Sequence, residues 1–560
     1  MFTFNPLIIF SKYYLMRLLL LLLFVPNVVI SQPANAVKNP LKRPKLVVGI
    51  VVDQMRWDYL YRYYDRYAAN GGFKRLINQG FSCENTFINY IPTITACGHT
   101  CLYTGSVPAI HGIAGNEWYD PQTKQIVYCA GDNTVEGVGT NSVAGKMSPR
   151  NMLSTTVTDE LRLATNFRSK VIGISFKDRG AILPAGHSAN AAYWFDPATG
   201  NFISSTYYMQ NLPQWVTDFN NKKYPDQYFK NGWNTLYPLN TYVQSTADEQ
   251  PWEGKPFGDD QKGFPYKLDK FIGSTNYNTL ISTPFGNTFT KQMAIAATDA
   301  EQLGKDSITD FLAISFSSPD YIGHTFGPNS IEAEDGFLRL DKDLGELFNY
   351  FDKQVGKGQY LVFLSADHGA AHAGGFSRNY KVPGGYLPYG VLEKEVDSVL
   401  RKQYGNFKFL AASDNYQLYL DHDLIDSLKL NRSDLYKTVV DYLMHQPDVE
   451  KAFALEDLMN VALPEHIRKQ VINGYHSKRS GDIQMILKPG YMSGGTTGTT
   501  HGSWNPYDSH IPLLWYGWNV KPGKTNREVY MTDVAPTISA MLRIQMPSGS
   551  IGNVIEEVFK

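Results

Sequence analysis

Six side chains that could bind metal ions follow hydrophobic segments or a Gly/Thr-rich loop. Carboxylate oxygen and neutral imidazole nitrogen are common ligands of Zn²⁺, and six are more than one tetrahedral ion with an open position requires. Two metal ions about 3.5–4 Å apart can hold the attacking and leaving oxygens of an in-line phosphoryl transfer. We therefore predict a site for two Zn²⁺ ions that acts on a phosphate ester, and the alternative is manganese or another divalent ion on the same ligands. The six candidate ligands are Asp53, Asp320, His324, Asp367, His368 and His501.

Each candidate ligand also has a simpler structural interpretation. An aspartate after a strand is more often a turn former or a helix cap, and a single histidine is more often a core residue. The combination is more specific. SPDYIGHTFGP places His324 four positions after Asp320, SADHG pairs Asp367 with His368, and a Gly/Thr-rich loop leads to His501. We therefore interpret the set as one metal site.

Thr95 is the predicted nucleophile. It lies in PTITACGHTCLYTG, directly before a predicted helix over residues 96–103. A hydroxyl at a helix N-terminus lies at the positive end of the helix dipole, and metal coordination makes an alcohol a better nucleophile. A threonine at this position could instead cap the helix, and Thr93 is a weaker candidate for the nucleophile.

The segment SFKDRGA suggests which ester the site accepts. Lys177 and Arg179 alternate in a segment that we predict to be extended, so both could face one ligand. A phosphate monoester has three terminal oxygens that need donors, whereas a diester carries an organic group at one of those positions. The pair therefore predicts a monoester substrate, and the alternative is a solvated charged turn.

The hydrophobic pattern predicts the elements that hold these residues. KLVVGIVVD, residues 45–53, is typical of a buried parallel strand that ends in a carboxylate. Similar segments cover 170–176, 310–320, 359–369, 482–489 and 511–517, and helical patterns cover 156–165, 289–303, 332–351 and 533–542. This alternation predicts an α/β fold with a large, mostly parallel central sheet and helices on both faces. Ligands then bind beyond the carboxyl ends of the strands.

A chain of 560 residues predicts one large catalytic domain with insertions, or two domains. We predict a catalytic domain over residues 42–560. One insertion at about 190–290 is rich in Tyr, Trp, Asn and Pro and would form a cap. A second at about 373–480 has strand and helix patterns of its own, including a helix over 433–445, and would form a small subdomain.

The N-terminus predicts export. Lys12 and Arg17 precede a leucine-rich segment, which is typical of a signal peptide over residues 1–31 with cleavage between 31 and 36. Met1 and Met16 are both possible starts. The apolar segment is shorter than the roughly 20 residues of a membrane span, so we expect a periplasmic or secreted protein without a stable span, and a retained anchor is the alternative.

Composition limits the possible partners. A formal net charge of −1 argues against a protein that binds nucleic acid through a basic surface.

Four cysteines are too few for a disulfide scaffold and could form one or two bridges or remain buried thiols. Their pairing and the oligomeric state are left open. The cysteines are Cys83, Cys97, Cys101 and Cys129.

Taken in order, the motifs resemble the alkaline phosphatase superfamily, in the branch shared by nucleotide pyrophosphatases/phosphodiesterases and PafA-type alkaline phosphatases. The resemblance extends over essentially the whole chain after the signal peptide. It implies that Asn116 contacts a non-bridging phosphoryl oxygen, and the Lys-x-Arg pair resembles that of the PafA-type monoesterases. The implied ligands are Asp320, His324 and His501 for the first Zn²⁺, and Asp53, Asp367, His368 and Thr95 for the second.

The sequence thus predicts an exported two-zinc alkaline phosphatase that hydrolyses small phosphate monoesters through a covalent phosphothreonine on Thr95. The alternative enzyme is a phosphodiesterase or nucleotide pyrophosphatase with the same two-metal site. An alternative of another class is a secreted, metal-dependent binding module for phosphorylated glycans or peptides. A sulfatase is not favoured, because Cys97 is followed by Gly-His-Thr and not by the C/S-x-P-x-R pattern.

Overall fold

The structure is a computed structural model that describes residues 41–274, 276–388 and 390–559. The described residues from Pro44 onward form one compact unit. The strands are β1 (Leu46–Val52), β2 (Phe81–Cys83), β3 (Thr86–Phe87), β4 (Glu117–Asp120), β5 (Gln125–Tyr128), β6 (Gly137–Val138), β7 (Val171–Ser175), β8 (Ala191–Asp196), β9 (Asn201–Ser205), β10 (Asp310–Phe316), β11 (Tyr360–Ser365), β12 (Gly385–Pro388), β13 (Leu410–Asp414), β14 (Gln417–Leu420), β15 (Val449–Ala454), β16 (Ile483–Leu487), β17 (Tyr491–Gly494), β18 (His510–Ile511), β19 (Leu513–Gly517), β20 (Gly523–Thr525) and β21 (Val529–Tyr530).

The helices alternate with these strands along much of the chain. They are α1 (Tyr59–Arg62), α2 (Gly72–Gln79), α3 (Thr95–Thr104), α4 (Pro108–His111), α5 (Val157–Ala164), α6 (Asp178–Ala185), α7 (Gln214–Asn221), α8 (Tyr224–Asn231), α9 (Asn278–Ile281), α10 (Phe285–Ala300), α11 (Ser318–Phe326), α12 (Ile331–Phe351), α13 (Gly374–Asn379), α14 (Val391–Tyr404), α15 (His422–Ser427), α16 (Arg432–Met444), α17 (Glu465–Gly474), α18 (Pro506–Ser509) and α19 (Val534–Leu542).

Ten strands form the central sheet, in the order β20-β2-β19-β11-β1-β10-β7-β8-β9-β6. Five neighbouring pairs are parallel, and four pairs toward the two edges are antiparallel. The predicted α/β fold with a large, mostly parallel central sheet and helices is confirmed.

Strand β1 positions the candidate site. All of its residues are buried, and its valine and isoleucine side chains suit a strand that is covered on both faces. It pairs in parallel with β10 and β11, and Val52 is opposite Phe316 at the end of β10. The carboxyl ends of the three strands therefore meet at one edge of the sheet. The carboxylates that follow these ends are Asp53, Asp320 and Asp367.

Residues 385–494 form a small subdomain with its own hydrophobic core. It contains the parallel pair β12 and β17 and the four-stranded sheet β13-β14-β16-β15. Leu418, Leu435 and Ile483 are among its buried core residues. The subdomain predicted from the sequence is therefore present, and its strands continue past residue 480 to Gly494.

Three segments differ from the sequence-based predictions. The segment at 482–489 contains β16, which belongs to the small antiparallel sheet and not to the central one. Strand β19, within 511–517, joins the central sheet antiparallel to β11. Strands β8 and β9 also pair into the central sheet, although they lie in the stretch predicted as a cap. A run of hydrophobic residues indicates burial, but it does not identify the partner strand.

The predicted helices at 156–165, 289–303, 332–351, 433–445 and 533–542 are confirmed as α5, α10, α12, α16 and α19, with ends shifted by a few residues.

All four cysteines are buried free thiols. The predicted signal peptide lies outside the described residues. Among the residues that are described, no helix has the length and apolar character needed to cross a membrane.

Helix α3 packs directly on the chain that follows β11. A Cβ atom added at Gly98 would lie 2.3 Å from the carbonyl oxygen of Asp367 and 2.6 Å from its Cβ. No side chain fits there without moving the helix or the Asp367 backbone. Gly98 therefore sets the spacing between the N-terminal part of α3 and Asp367.

We predict that Gly98→Ala lowers the free energy of unfolding by about 1–3 kcal/mol, because an added methyl group overpacks this contact. Gly495→Ala is the control, since a Cβ at Gly495 meets nothing within 4 Å. Urea denaturation of both variants measures the difference. Equal unfolding midpoints for the two variants would contradict the close-packing argument.

Candidate functional site

Lys177 connects three of the predicted site residues. Its ammonium lies 2.7 Å from Asp53 Oδ2 and 2.6 Å from Asp320 Oδ2, and it donates a hydrogen bond of 3.2 Å to Thr95 Oγ1. Lys177 is only 5% exposed and follows the carboxyl end of β7, directly before α6. The predicted nucleophile therefore lies beside a buried cation that two carboxylates hold in place.

Asp320, His324 and His501 form the first ligand group, since their candidate ligand atoms all lie within 4.8 Å of one another. Asp320 and His324 are one turn apart on α11, which places both on the same side of that helix. The Nδ1 atoms of His324 and His501 each lie 2.8 Å from a backbone carbonyl oxygen. Such contacts favour a proton on Nδ1, which leaves Nε2 free to bind a metal ion.

A second ligand group contains Asp53, Asp320 and His368, whose ligand atoms also lie within 4.8 Å of one another. Asp367 Oδ2 is 3.5 Å from His368 Nε2, and His368 Nδ1 lies 3.0 Å from the carbonyl oxygen of Gly369. Asp320 thus belongs to both groups. The assignment of particular ligands to each ion therefore stays a prediction.

The second ligand group fits a divalent cation. Within the described part of the chain, Asp53 Oδ1 and His368 Nε2 are buried atoms with no hydrogen-bond partner. Buried polar atoms normally have a hydrogen-bond partner, because an unsatisfied buried polar atom costs about 1–3 kcal/mol of folding free energy in many proteins. Oxygen and imidazole donors at this spacing match the ligand preferences of Zn²⁺.

The charges in the site also fit bound cations. Burial, together with the charges of Asp320 and Asp367, raises the pKa of Asp53 well above its usual range. Burial opposes ionisation of Asp320 as well, but His324 and Lys177 outweigh it and hold the pKa of Asp320 well below its usual range. Burial likewise opposes the charge on Lys177, yet the two carboxylates raise its pKa, so it remains an ammonium. Three carboxylates face this one ammonium, and divalent cations would offset the excess negative charge.

Thr95 is the first residue of α3 and is 1% exposed. The side chain of Asn116 lies at the same helix end, where its Oδ1 accepts a hydrogen bond of 3.0 Å from the backbone amide of Ala96. The side-chain nitrogen of Asn116 then remains as a hydrogen-bond donor. This geometry is compatible with the contact to a phosphoryl oxygen that the family resemblance implies.

The prediction that Lys177 and Arg179 lie in one extended segment is wrong. Arg179 lies in the first turn of α6, and its Nη1 lies 2.9 Å from the hydroxyl of Tyr128. The structure therefore brings Lys177 to Thr95 and Arg179 to Tyr128. The sequence suggested an alternating strand because the hydrophobic pattern of β7 continues to Phe176, and it did not reveal where α6 begins.

The sequence analysis left His99 unassigned, although it lies one turn after Thr95 on α3. Its Nδ1 is 2.9 Å from the carbonyl oxygen of Thr95 and 3.2 Å from Asp367 Oδ2, and its Nε2 is 2.8 Å from Ser315 Oγ. Both neighbours of Nδ1 are acceptors, so Nδ1 carries the proton and Nε2 accepts from the Ser315 hydroxyl. His99 thus connects α3, β10 and a candidate ligand. The i, i+4 spacing from Thr95 was the available signal.

Gln54 was also missed. Its backbone amide donates to Asp367 Oδ1 at 3.1 Å, and its side-chain amide donates to Asp320 Oδ1 at 2.6 Å. It adopts a left-handed conformation with φ of 61° directly after Asp53. Nothing in the sequence signals this conformation, because glutamine has no preference for it.

Comparison with known proteins identifies the family of the chain. The sequence profile described as "Type I phosphodiesterase / nucleotide pyrophosphatase" matches residues 47–510. The chain belongs to this family.

Within the family, the chain is 56% identical over 521 residues to alkaline phosphatase PhoV of Synechococcus elongatus, covering 92% of this chain and 93% of PhoV. It is 53% identical over 542 residues to alkaline phosphatase PafA of Elizabethkingia meningoseptica, covering 96% and 98%. The crystal structure of wild-type PafA superposes with a TM-score of 0.91, covering 93% of this chain and all of PafA. A PafA variant substituted at one threonine, one asparagine and a Lys-x-Arg pair superposes equally well.

We predict that His99→Gln weakens divalent-metal binding by roughly 10- to 100-fold, because residues that orient metal ligands contribute to this extent. His445→Gln is a matched control, since His445 Nδ1 also contacts the carbonyl oxygen four residues earlier but lies on an exposed helix end. Metal content per chain and titration against a competing chelator measure the affinity. Unchanged affinity in His99→Gln would show that His99 only packs the core.

Proposed function

We propose that this chain is an alkaline phosphatase that hydrolyses phosphate monoesters, with two Zn²⁺ ions and Thr95 as nucleophile. One observation carries the proposal: two unpartnered buried ligand atoms, Asp53 Oδ1 and His368 Nε2, lie beside a Lys177–Thr95 hydrogen bond. The alkaline phosphatases PhoV and PafA, at 56% and 53% identity, support it. The substituted PafA variant supports the choice of residues, since it was altered at a threonine, an asparagine and a Lys-x-Arg pair.

The proposed ligands are Asp320, His324 and His501 for one ion, and Asp53, Asp367, His368 and Thr95 for the other. When bound, the ions would supply Lewis-acid charge that favours ionisation of an alcohol and stabilises a leaving oxygen. Nucleophilic attack, orientation of the ester and stabilisation of its negative charge are then assigned to side chains of the site.

Thr95 Oγ1 attacks phosphorus, so that a bond from Oγ1 to phosphorus forms while the bond to the ester oxygen breaks and the alcohol leaves. Lys177 stabilises negative charge beside Oγ1, and the amide of Asn116 donates to a non-bridging oxygen. Water then attacks the phosphothreonine, which releases inorganic phosphate and restores the hydroxyl. Arg179 is the proposed further donor to the phosphoryl oxygens, because its buried Nε has no hydrogen-bond partner among the described residues.

A phosphodiesterase is the second candidate, because the matching family profile carries that description. We favour the monoesterase, since Lys177 lies at the nucleophile, where an additional cation suits a dianionic phosphoryl group.

We predict that Thr95→Ala lowers kcat for p-nitrophenyl phosphate by at least roughly 10³-fold, while Thr95→Ser retains measurable turnover. Thr104→Ala, on the same helix, is the control. Mass spectrometry of acid-quenched wild-type protein should find phosphate on the peptide that contains Thr95. Near-normal turnover by Thr95→Ala would exclude the covalent step, and a higher kcat/KM for bis-p-nitrophenyl phosphate would favour the phosphodiesterase.

We further propose that the chain is exported to the periplasm or the medium, that residues 1–31 are removed, and that the catalytic domain occupies 42–560. The Lys12 and Arg17 positions before a leucine-rich segment support this. N-terminal sequencing of the mature protein should begin between residues 32 and 37. Recovery of a protein with an intact N-terminus from the membrane fraction would indicate a retained anchor instead.

A further inference from the structure

One hairpin turn of the small subdomain has a strained backbone and lies near the candidate site. Strands β13 and β14 pair Asp414 with Gln417, so the connecting turn contains only Asn415 and Tyr416. Both residues are left-handed, with φ of 54° and 60°. Two such residues define a type I′ turn, whose second position favours glycine. A bulky residue in this conformation is an outlier, and such outliers are concentrated at functional sites.

Both turn residues contact glycines that adjoin proposed site residues. A Cβ added at Gly115, directly before Asn116, would lie 2.4 Å from the side-chain nitrogen of Asn415. A Cβ added at Gly502, directly after His501, would lie 3.3 Å from Cε2 of the Tyr416 ring. The turn therefore extends between the two loops that carry Asn116 and His501.

The turn is held firmly in this position. The carbonyl oxygen of Tyr416 accepts hydrogen bonds from the backbone of Met485 at 2.8 Å and from the side chain of Gln484 at 3.2 Å. The Tyr416 hydroxyl accepts from the backbone of Ser493 at 3.2 Å. Strands β16 and β17 thus fix a side chain that remains partly exposed. The strain is maintained by the surrounding structure.

His324, in the first ligand group, is the most exposed of the proposed metal ligands. The side chain of His324 is 35% exposed, whereas those of Asp53, Asp367 and His368 are buried. In the proposed mode of binding, an ester whose phosphoryl group reaches Thr95 projects its organic group toward this more exposed side. His501 belongs to the same ligand group, and its neighbour Gly502 contacts Tyr416.

We propose that Asn415 and Tyr416 form the wall that contacts the organic group of the ester and that they favour planar, aromatic alcohols. This inference rests on the proposed monoesterase function. A tyrosine ring can stack on an aromatic group. The Asn415 nitrogen already donates to Asp414 Oδ2 at 2.7 Å, which leaves its second N–H and its oxygen for a neighbouring hydrogen bond. The subdomain thus determines specificity without supplying a metal ligand.

The test compares phenyl phosphate with methyl phosphate in the metal-loaded enzyme. We expect Tyr416→Gly to lower the ratio of the two kcat/KM values by roughly threefold to tenfold, the size of a lost aromatic contact. The inhibition constant of inorganic phosphate, which has no organic group, should change by less than about twofold. Tyr416→Phe should retain the ratio because it keeps the ring.

Lys429→Gly is the matched control, since Lys429 is an exposed, left-handed residue of the same subdomain with φ of 53°. It should leave the ratio unchanged. An unchanged ratio in Tyr416→Gly would overturn the inference. So would an equal loss of both activities with weaker phosphate inhibition, which would mean that Tyr416 only supports the His501 loop. A wild-type enzyme that hydrolyses neither ester would instead overturn the monoesterase proposal.

Discussion

The convergence of three buried carboxylates at one edge of the central sheet is the constraint on which the rest of the site depends. Asp53, Asp320 and Asp367 follow adjacent parallel strands, so the sheet brings them together regardless of their mutual repulsion. Such a cluster is stable only if cations balance it. Lys177 supplies one charge from within the chain, and the unpartnered ligand atoms identify where divalent ions would supply the rest.

Helix α3 is the second component, and its position is set by packing. Gly98 allows the helix to contact the Asp367 backbone, and His99 then connects the first turn of the helix to the Asp367 carboxylate. The proposed nucleophile and a candidate metal ligand are therefore fixed relative to each other by neighbouring residues of one helix. A rigid arrangement of this kind lowers the reorganisation that catalysis would otherwise require.

Left-handed residues other than glycine occur at two places around the site. Gln54 turns the chain after Asp53 so that its two amides reach Asp320 and Asp367, and Tyr416 closes the hairpin that reaches Gly502. Each conformation is unfavourable in isolation and is stabilised by hydrogen bonds to other elements. Strain at these positions places side chains where a relaxed turn would not.

The sequence by itself determined the α/β class, most strands and helices, and the residue types of the candidate metal site, because periodicity and strand-end carboxylates are local properties. It could not determine that β16 belongs to the subdomain, that Arg179 contacts Tyr128 while Lys177 contacts Thr95, or that Asp320 lies in both ligand groups. Nor did it reveal the roles of Gln54 and His99. These features depend on strand pairing, on the residue at which a helix begins and on backbone conformation, which only the packing of distant segments decides.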